Sequence, residues 1–174
     1  MGKGNEELNV FIKFTEENKG ELNSTIKNHL AKCERDGVVA WGQFSSDPKK
    51  GKVSKKQELI KQIKNGKKTY VFFYNSSANE LYSAELKDIV NKHDLDESKI
   101  YELKNMVPDY YKHLVGKNII DSKTEKFIYA YFIIENLKNI DIKHASNIYK
   151  TTNNEPILED KSQKSLFYVH IDEN

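Results

Sequence analysis

The sequence predicts an α+β protein, in which a curled, mixed or antiparallel, β-barrel-like sheet of about six or seven strands packs against two or three helices. Three observations support this fold class: short β-branched and aromatic segments recur, two segments have the apolar spacing of helices, and short turns join the middle strands. Short connections favour antiparallel pairing, because parallel strands need a long crossover. A chain of 174 residues supports one core, so we expect a single domain over residues 1–174.

Strands and helices alternate in the first part of the chain. Residues 8–14 alternate as a strand does, and residues 16–33 carry apolar side chains at helical spacing. Residues 38–44 form a second short apolar run, which predicts another strand. A second helix is predicted from Ser54, a candidate N-cap, to the Asn65-Gly66 stop signal.

Strands dominate the second part of the chain. The segments with this character are residues 69–75, 80–90, 98–103, 127–134 and 165–171. The first two flank a turn rich in Asn and Ser and therefore predict a hairpin. Residues 108–115 follow the pattern of a helical turn or short helix, and the polar residues 147–164 predict a long loop.

Positive charge is concentrated in one segment. Residues 46–68 contain nine lysines and two acidic residues, although the whole chain has a net charge of only +2. Such a local field suits contact with phosphates, and lysine acts there as a point charge. The alternative is an ordinary solvated helix surface. The candidate phosphate contacts are Lys49, Lys50, Lys52, Lys55, Lys56 and the single arginine, Arg35.

The sequence gives little support for catalysis. Cys33 is the only cysteine and lies on an apolar helix stripe, and the five histidines stand far apart. We therefore expect no metal, no cofactor and no catalytic residue. Glu85-Leu86-Lys87 is one fragment of a nuclease motif and lacks a matched acid–base pair. No apolar run of membrane-spanning length and no signal-like start is present, which predicts a cytoplasmic protein without membrane contact.

Aromatic residues are the strongest candidates for a ligand site. Trp41, the only tryptophan, and Phe44 lie on the second predicted strand, and Tyr131 lies on a later one. Tyr110 and Tyr111 follow Pro108 in a turn, where interior packing is harder to arrange. Aromatic rings that converge on one pocket can sandwich a flipped base. The alternative is that these rings form the core.

Several segments together resemble a known family. Their order and spacing over residues 38–140 are similar to the PUA-like group, which includes EVE, ASCH and YTH domains. The closest resemblance is to the N-terminal DNA-recognition domain of McrB-type, modification-dependent restriction GTPases. The segments are Val39-Ala40-Trp41-Gly42-Gln43-Phe44, the helix through Leu59 and Ile63, residues 69–74 and 81–89, Val107-Pro108-Asp109-Tyr110-Tyr111, and residues 128–132.

The resemblance implies a non-catalytic module that recognises a modified, flipped base in double-stranded DNA. It also implies a GTPase motor and a nuclease subunit as partners. The resemblance implies Trp41, Tyr110, Tyr111 and Tyr131 as pocket residues. Phe44, on the same predicted strand as Trp41, is a further pocket candidate. The chain departs from the pattern at Ala40, where related sequences often carry a second tryptophan. An RNA-binding PUA-like protein and a protein-interaction domain of a defence system remain alternatives.

Overall fold

The computed structural model describes residues 7–16, 25–45, 47, 49, 52–117 and 127–172. These residues form an α+β fold, as predicted. The strands are β1 (Asn9–Phe14), β2 (Val39–Ser45), β3 (Tyr70–Asn75), β4 (Glu80–Asn91), β5 (Phe127–Ile140), β6 (Ile148–Lys150) and β7 (Leu166–Ile171). The helices are α1 (Thr25–Asp36), α2 (Lys56–Lys64) and α3 (Glu97–Lys104), with 3-10 turns at Lys92–Asp94, Asp109–Leu114, Ile142–Asn147 and Ile157–Glu159.

The seven strands of the described residues form one mixed sheet in the order β2-β5-β4-β3-β1-β7-β6. β1 runs parallel to β3, and the other neighbouring strands are antiparallel. The predicted β3–β4 hairpin is confirmed, with Tyr70 opposite Glu85. The two edge strands, β2 and β6, do not pair with each other, so the sheet stays open instead of closing into a barrel.

Both faces of the sheet carry apolar side chains. Val10 and Ile12 of β1 lie in a cluster that α1 and α2 cover, whereas Phe11 lies in a cluster on the opposite face. This follows from the alternation of side chains along a strand. Residues 127–134 of β5 are all buried, because α3 and the Asp109–Leu114 turn cover a third cluster behind them.

Some predicted elements were wrong or incomplete. Residues 98–103 are helical, since they lie in α3, and the Asp96 side chain caps that helix by accepting from the Lys99 N–H at 2.7 Å. The predicted loop at 147–164 contains β6 and a 3-10 turn. Ser54 is not the cap of α2; its hydroxyl lies 3.0 Å from the Tyr168 hydroxyl.

The first helix also differs in its bounds. Its described part is Thr25–Asp36, Glu16 is not helical, and residues 17–24 of the predicted helix lie outside the described residues. The carboxylate of Glu16 accepts hydrogen bonds from the Thr25 and Ile26 N–H groups at 2.9 and 3.0 Å. It therefore satisfies donors that the first helical turn leaves open. Within the described ranges, no helix is both long enough and apolar enough to cross a membrane.

Candidate functional site

An open cleft of about 1130 Å³ lies between the later parts of β1 and β2. The ends of β1 and β2, the start of α1, the Asp109–Leu114 turn and residues 162–165 surround it. A smaller groove of about 450 Å³ runs along α2, and three of its six lining residues are lysines. The larger cleft is the better candidate site, because aromatic rings and polar side chains meet there.

Trp41 forms part of the cleft wall and part of the core. Its ring centroid lies 4.4 Å from that of Phe73, 4.5 Å from His29 and 5.4 Å from Phe14. The residue is only 4% exposed. Its indole N–H donates to Oε1 of Gln43 at 3.1 Å. Trp41 and Gln43 stand two positions apart on β2 and therefore face the same side of the sheet.

Tyr111 reaches across the open edge of β2. Its hydroxyl accepts from the Gly42 N–H at 3.1 Å and lies 3.1 Å from the Ala40 carbonyl oxygen. It also lies 2.8 Å from Nε2 of His29. The hydroxyl thereby satisfies the Gly42 N–H, a backbone donor that a neighbouring strand would otherwise pair.

The contacts of His29 assign its protonation. Nδ1 lies 2.7 Å from the Thr25 carbonyl oxygen, which can only accept, so Nδ1 carries the proton. Nε2 therefore accepts from the Tyr111 hydroxyl. Burial lowers the pKa of His29 from 6.5 to about 4, and the imidazole is neutral near pH 7. Burial also raises the pKa of Tyr111 well above 10.

Gly42 permits this close approach. A Cβ atom at Gly42 would lie 3.1 Å from Cε2 of Tyr111 and 3.2 Å from two side-chain carbons of Ile128. Such contacts are tighter than ordinary van der Waals packing. The glycine beside Trp41 is therefore explained by the approach of the Tyr111 ring.

An ion-pair cluster anchors the chain just before residues 162–165, which form the wall of the cleft that faces β2. Asp160 binds Nζ of Lys150 at 2.7 Å and Nζ of Lys13 at 3.5 Å, and its side chain is 9% exposed. The Lys150 hydrogen bond holds the pKa of Asp160 well below its usual range. From this anchor the chain continues to Ser165, whose hydroxyl accepts from Nε2 of Gln43 at 3.1 Å.

The structure brings four of the five sequence-predicted aromatic candidates to the cleft: Trp41, Phe44, Tyr110 and Tyr111 all line it. Tyr110 is the most accessible of these, at 37% exposure, and its ring centroid lies 4.9 Å from that of Tyr111. Tyr131 is fully buried in the cluster beneath α3 and does not line the cleft.

Sequence reasoning missed other cleft residues, namely Phe14, His29, Gln43 and Ser165. One of them was accessible from the strand pattern, because alternation places Gln43 on the same face as Trp41. The others come from β1, α1 and the segment before β7. Only the tertiary fold brings those segments together.

The predicted phosphate contacts occupy different environments. Lys49 and Lys52 are exposed in the segment after β2, and Lys50 lies outside the described residues. Nζ of Lys55 lies 5.3 Å from the Tyr168 ring centroid, and Lys56 pairs with Asp94 at 2.8 Å. Arg35 pairs with Asp36 at 3.0 Å.

Arg35 also lies away from the cleft. It is in the last turn of α1, whereas Thr25, in the first turn, lines the cleft. A helix rises 1.5 Å per residue, which separates the two ends by about 15 Å. Lys164 does line the cleft, although the sequence did not single it out.

The arrangement is that of an α+β domain with an open mixed sheet and an aromatic cleft between β1 and β2. In the part of the chain that the structure describes, no cluster of three or more His, Cys, Asp or Glu side chains could hold a metal ion. The chain belongs to the Pua-like family, whose model matches residues 11–171.

The comparison with solved structures found similarity to the YTH domain of the Zygosaccharomyces rouxii MRB1 protein, a crystal structure in complex with N6-methyladenosine RNA. The identity is 12% and the TM-score 0.35, over 90% of this chain and 75% of that chain. A search of curated proteins found no match.

Proposed function

We propose that this protein is a non-catalytic nucleic-acid-binding module that holds one flipped, modified base in the aromatic cleft. The observation that carries the proposal is that Phe14, Trp41, Phe44 and Tyr110 line one cleft together with the buried amide of Gln43. Enzymes and readers that extrude a base hold it by stacking between aromatic or apolar side chains and by hydrogen bonds to its edge. The cleft offers both kinds of contact.

The size and lining of the cleft support a modified base. Ligand pockets typically occupy about 300–1,000 Å³, and the cleft, at about 1130 Å³, is large enough for a nucleoside. A methyl group placed against the ring edges would be stabilised by about 0.8 kcal/mol. That difference favours a methylated base over its unmodified counterpart.

Lysines near the cleft would contact the phosphate backbone. β2 ends at Ser45, which lines the cleft, and the chain then enters the segment that carries Lys49 and Lys52. Lys164 lies on the opposite wall. Contacts of this kind position the strand without reading its sequence, and they weaken as salt concentration rises.

The finer proposal is a DNA-specificity domain of a cytoplasmic restriction or defence system. Its support is the resemblance of residues 38–140 to the N-terminal domains of McrB-type GTPases. In that setting the partner is duplex DNA that carries a modified base, and a GTPase motor and a nuclease subunit act on the signal. Recognition of RNA would instead involve 2′-hydroxyl groups and unpaired strands.

The single tryptophan makes a direct test possible. Trp41 lines the cleft, so a base that enters should change its fluorescence. We would titrate the protein with DNA duplexes and RNAs of one sequence, each carrying adenine, N6-methyladenine, cytosine or 5-methylcytosine, at two salt concentrations. The expected result is a fluorescence change and tightest binding with one modified duplex.

The other outcomes are equally informative. Binding that is equal for every base and leaves Trp41 fluorescence unchanged would mean phosphate contact alone, and would overturn the pocket proposal. Tighter binding of the RNA would overturn the DNA assignment while retaining the base pocket. Absence of binding to every oligonucleotide would favour a protein-interaction domain.

A further inference from the structure

The amide of Gln43 is held in one orientation within the cleft. Its Oε1 accepts from the Trp41 indole N–H at 3.1 Å, and its Nε2 donates to Oγ of Ser165 at 3.1 Å. An indole nitrogen can only donate, so the oxygen of the amide must face Trp41. The usual ambiguity between the two ends of a glutamine amide is thereby removed.

Part of the hydrogen-bonding capacity of this amide is unused by the described residues. A glutamine side chain has two N–H donors and two lone pairs on oxygen. The contacts with Trp41 and Ser165 use one donor and one lone pair. Gln43 is 5% exposed and lines the cleft, so the remaining donor and lone pair suit a ligand that excludes water.

We propose that Gln43 is the specificity-determining residue that reads the hydrogen-bonding edge of the bound base, an inference that rests on the proposed function. β2 presents the Trp41 ring and the Gln43 amide on one face, so a base that stacks at the wall brings its edge to the amide. The oxygen and the nitrogen of this amide have fixed positions. The base must therefore place its donor at the amide oxygen and its acceptor at the amide nitrogen.

That order separates two chemical classes of base. Adenine and cytosine carry a ring-nitrogen acceptor beside an exocyclic amino group, whereas guanine and thymine carry a ring N–H beside an exocyclic keto group. For a base whose orientation is fixed by its own backbone, the Gln43 amide fits one class and leaves polar groups unpaired with the other. Unpaired buried polar groups are costly.

The Gln43→Glu substitution removes only the N–H donor of the side chain and so tests its contribution. A carboxylate can still accept from the Trp41 indole and from the Ser165 hydroxyl, so both wall contacts persist, but the N–H donor is lost. Gln163→Glu is the matched control, since Gln163 is exposed on the same cleft. At pH 8 the two hydrogen bonds donated by Trp41 and Ser165 favour the ionised form of the carboxylate introduced at position 43. Circular dichroism and thermal melting check that both variants fold.

We would use Trp41 fluorescence to measure the affinity of the protein for DNA duplexes that differ only in the target base. We expect the wild-type protein to separate amino-bearing from keto-bearing bases by about tenfold or more, as one unsatisfied hydrogen bond implies. Gln43→Glu should lose about tenfold on the preferred class and most of the separation. Gln163→Glu adds the same charge to the cleft, so it should weaken all duplexes alike by phosphate repulsion and keep the separation.

A ligand-side experiment avoids dependence on a folded variant. If the preferred base bears an amino group, replacing its ring-nitrogen acceptor (N1 of adenine or N3 of cytosine) by C–H should weaken binding to the wild-type protein by about tenfold and have little effect on Gln43→Glu. If the preferred base bears a keto group, the ring N–H that C–H replaces pairs with an oxygen that Gln43→Glu keeps, so both proteins should lose about tenfold. Unchanged affinity of the wild-type protein for this analogue would overturn the proposal for Gln43.

A Gln43→Glu protein that keeps the wild-type ranking of bases would also overturn the proposal, as would an equal loss of the separation between base classes in Gln43→Glu and Gln163→Glu. In each of these cases the wild-type protein still binds a base in the cleft, so only the assignment of Gln43 fails. A wild-type protein that shows no fluorescence change with any base overturns both the base pocket and its reader.

Discussion

The Tyr111 hydroxyl accepts a hydrogen bond from the Gly42 N–H at 3.1 Å, which joins the Asp109–Leu114 turn to the open edge of β2. The same hydroxyl lies 2.8 Å from Nε2 of His29, so it also ties that edge to α1. All three residues line the cleft. This contact therefore sets the relative positions of three of the segments that form the candidate site.

Removal of this hydroxyl should destabilise the fold. Tyr111→Phe would leave the Gly42 N–H and Nε2 of His29 without their partner in a buried environment. We expect a loss of about 1–3 kcal/mol in the free energy of unfolding, measured by urea denaturation. Tyr101→Phe is the control, because Tyr101 is 73% exposed, and should change it by less than about 0.5 kcal/mol. Equal stability of the two variants would show that the bridge contributes nothing.

His29 should make stability depend on pH. Its pKa is about 4 in the folded protein and near 6.5 when unfolded, so the unfolded state binds the proton more tightly. Stability from the neutral imidazole is therefore fully present above pH 6.5 and is lost as pH falls towards 4. The linkage amounts to about 3 kcal/mol across this range.

The measurement is the free energy of unfolding at several pH values between 7.5 and 4.5, for the wild-type protein and His29→Gln. The variant has no imidazole at this position and should lose stability less steeply as pH falls. Parallel curves for the two proteins would contradict the assignment to His29.

Substitutions of Trp41 and Tyr110 should have different effects, the first mainly on fold stability and the second mainly on DNA binding. Trp41 is 4% exposed and packs against His29 and Phe73, so Trp41→Ala should cost about 3–5 kcal/mol of stability. Tyr110 is 37% exposed, and Tyr110→Ala should chiefly weaken binding, by about 1–3 kcal/mol for a lost base stack. Melting temperature and DNA affinity are measured on both proteins. A large drop in melting temperature for Tyr110→Ala with unchanged affinity would place that residue in the core.

The lysine-rich residues 46–68 should strengthen DNA binding without selecting among bases. Replacement of Lys49, Lys50 and Lys52 by Ala should weaken binding to all duplexes alike and reduce the slope of log affinity against log salt by up to about three. The control is a triple Ala variant of Lys87, Lys138 and Lys143, three exposed lysines that do not line the cleft. A slope that changes only in the control would assign phosphate contact to the surface that carries Lys87, Lys138 and Lys143.

Local sequence pattern was sufficient for most strands, because alternation and turn residues act over a few positions. The β3–β4 hairpin illustrates this, since both strands and their turn are contiguous in the sequence. The pattern failed at residues 98–103, where Ile100 and Leu103 fit a helix as well as a strand. The Asp96 cap and packing beneath β5 favour the helix.

Local sequence pattern predicted the fold class, the strand that carries Trp41 and the aromatic turn at Tyr110 and Tyr111. The packing of the folded chain determines that Tyr111 is 3% exposed while its neighbour Tyr110 remains accessible. It also determines that β1 pairs in parallel with β3 and that Gln43 meets Ser165. The physical reason is that these contacts join residues far apart in the chain, so they depend on how the sheet edge, α1 and the turns pack together and not on local conformational preference.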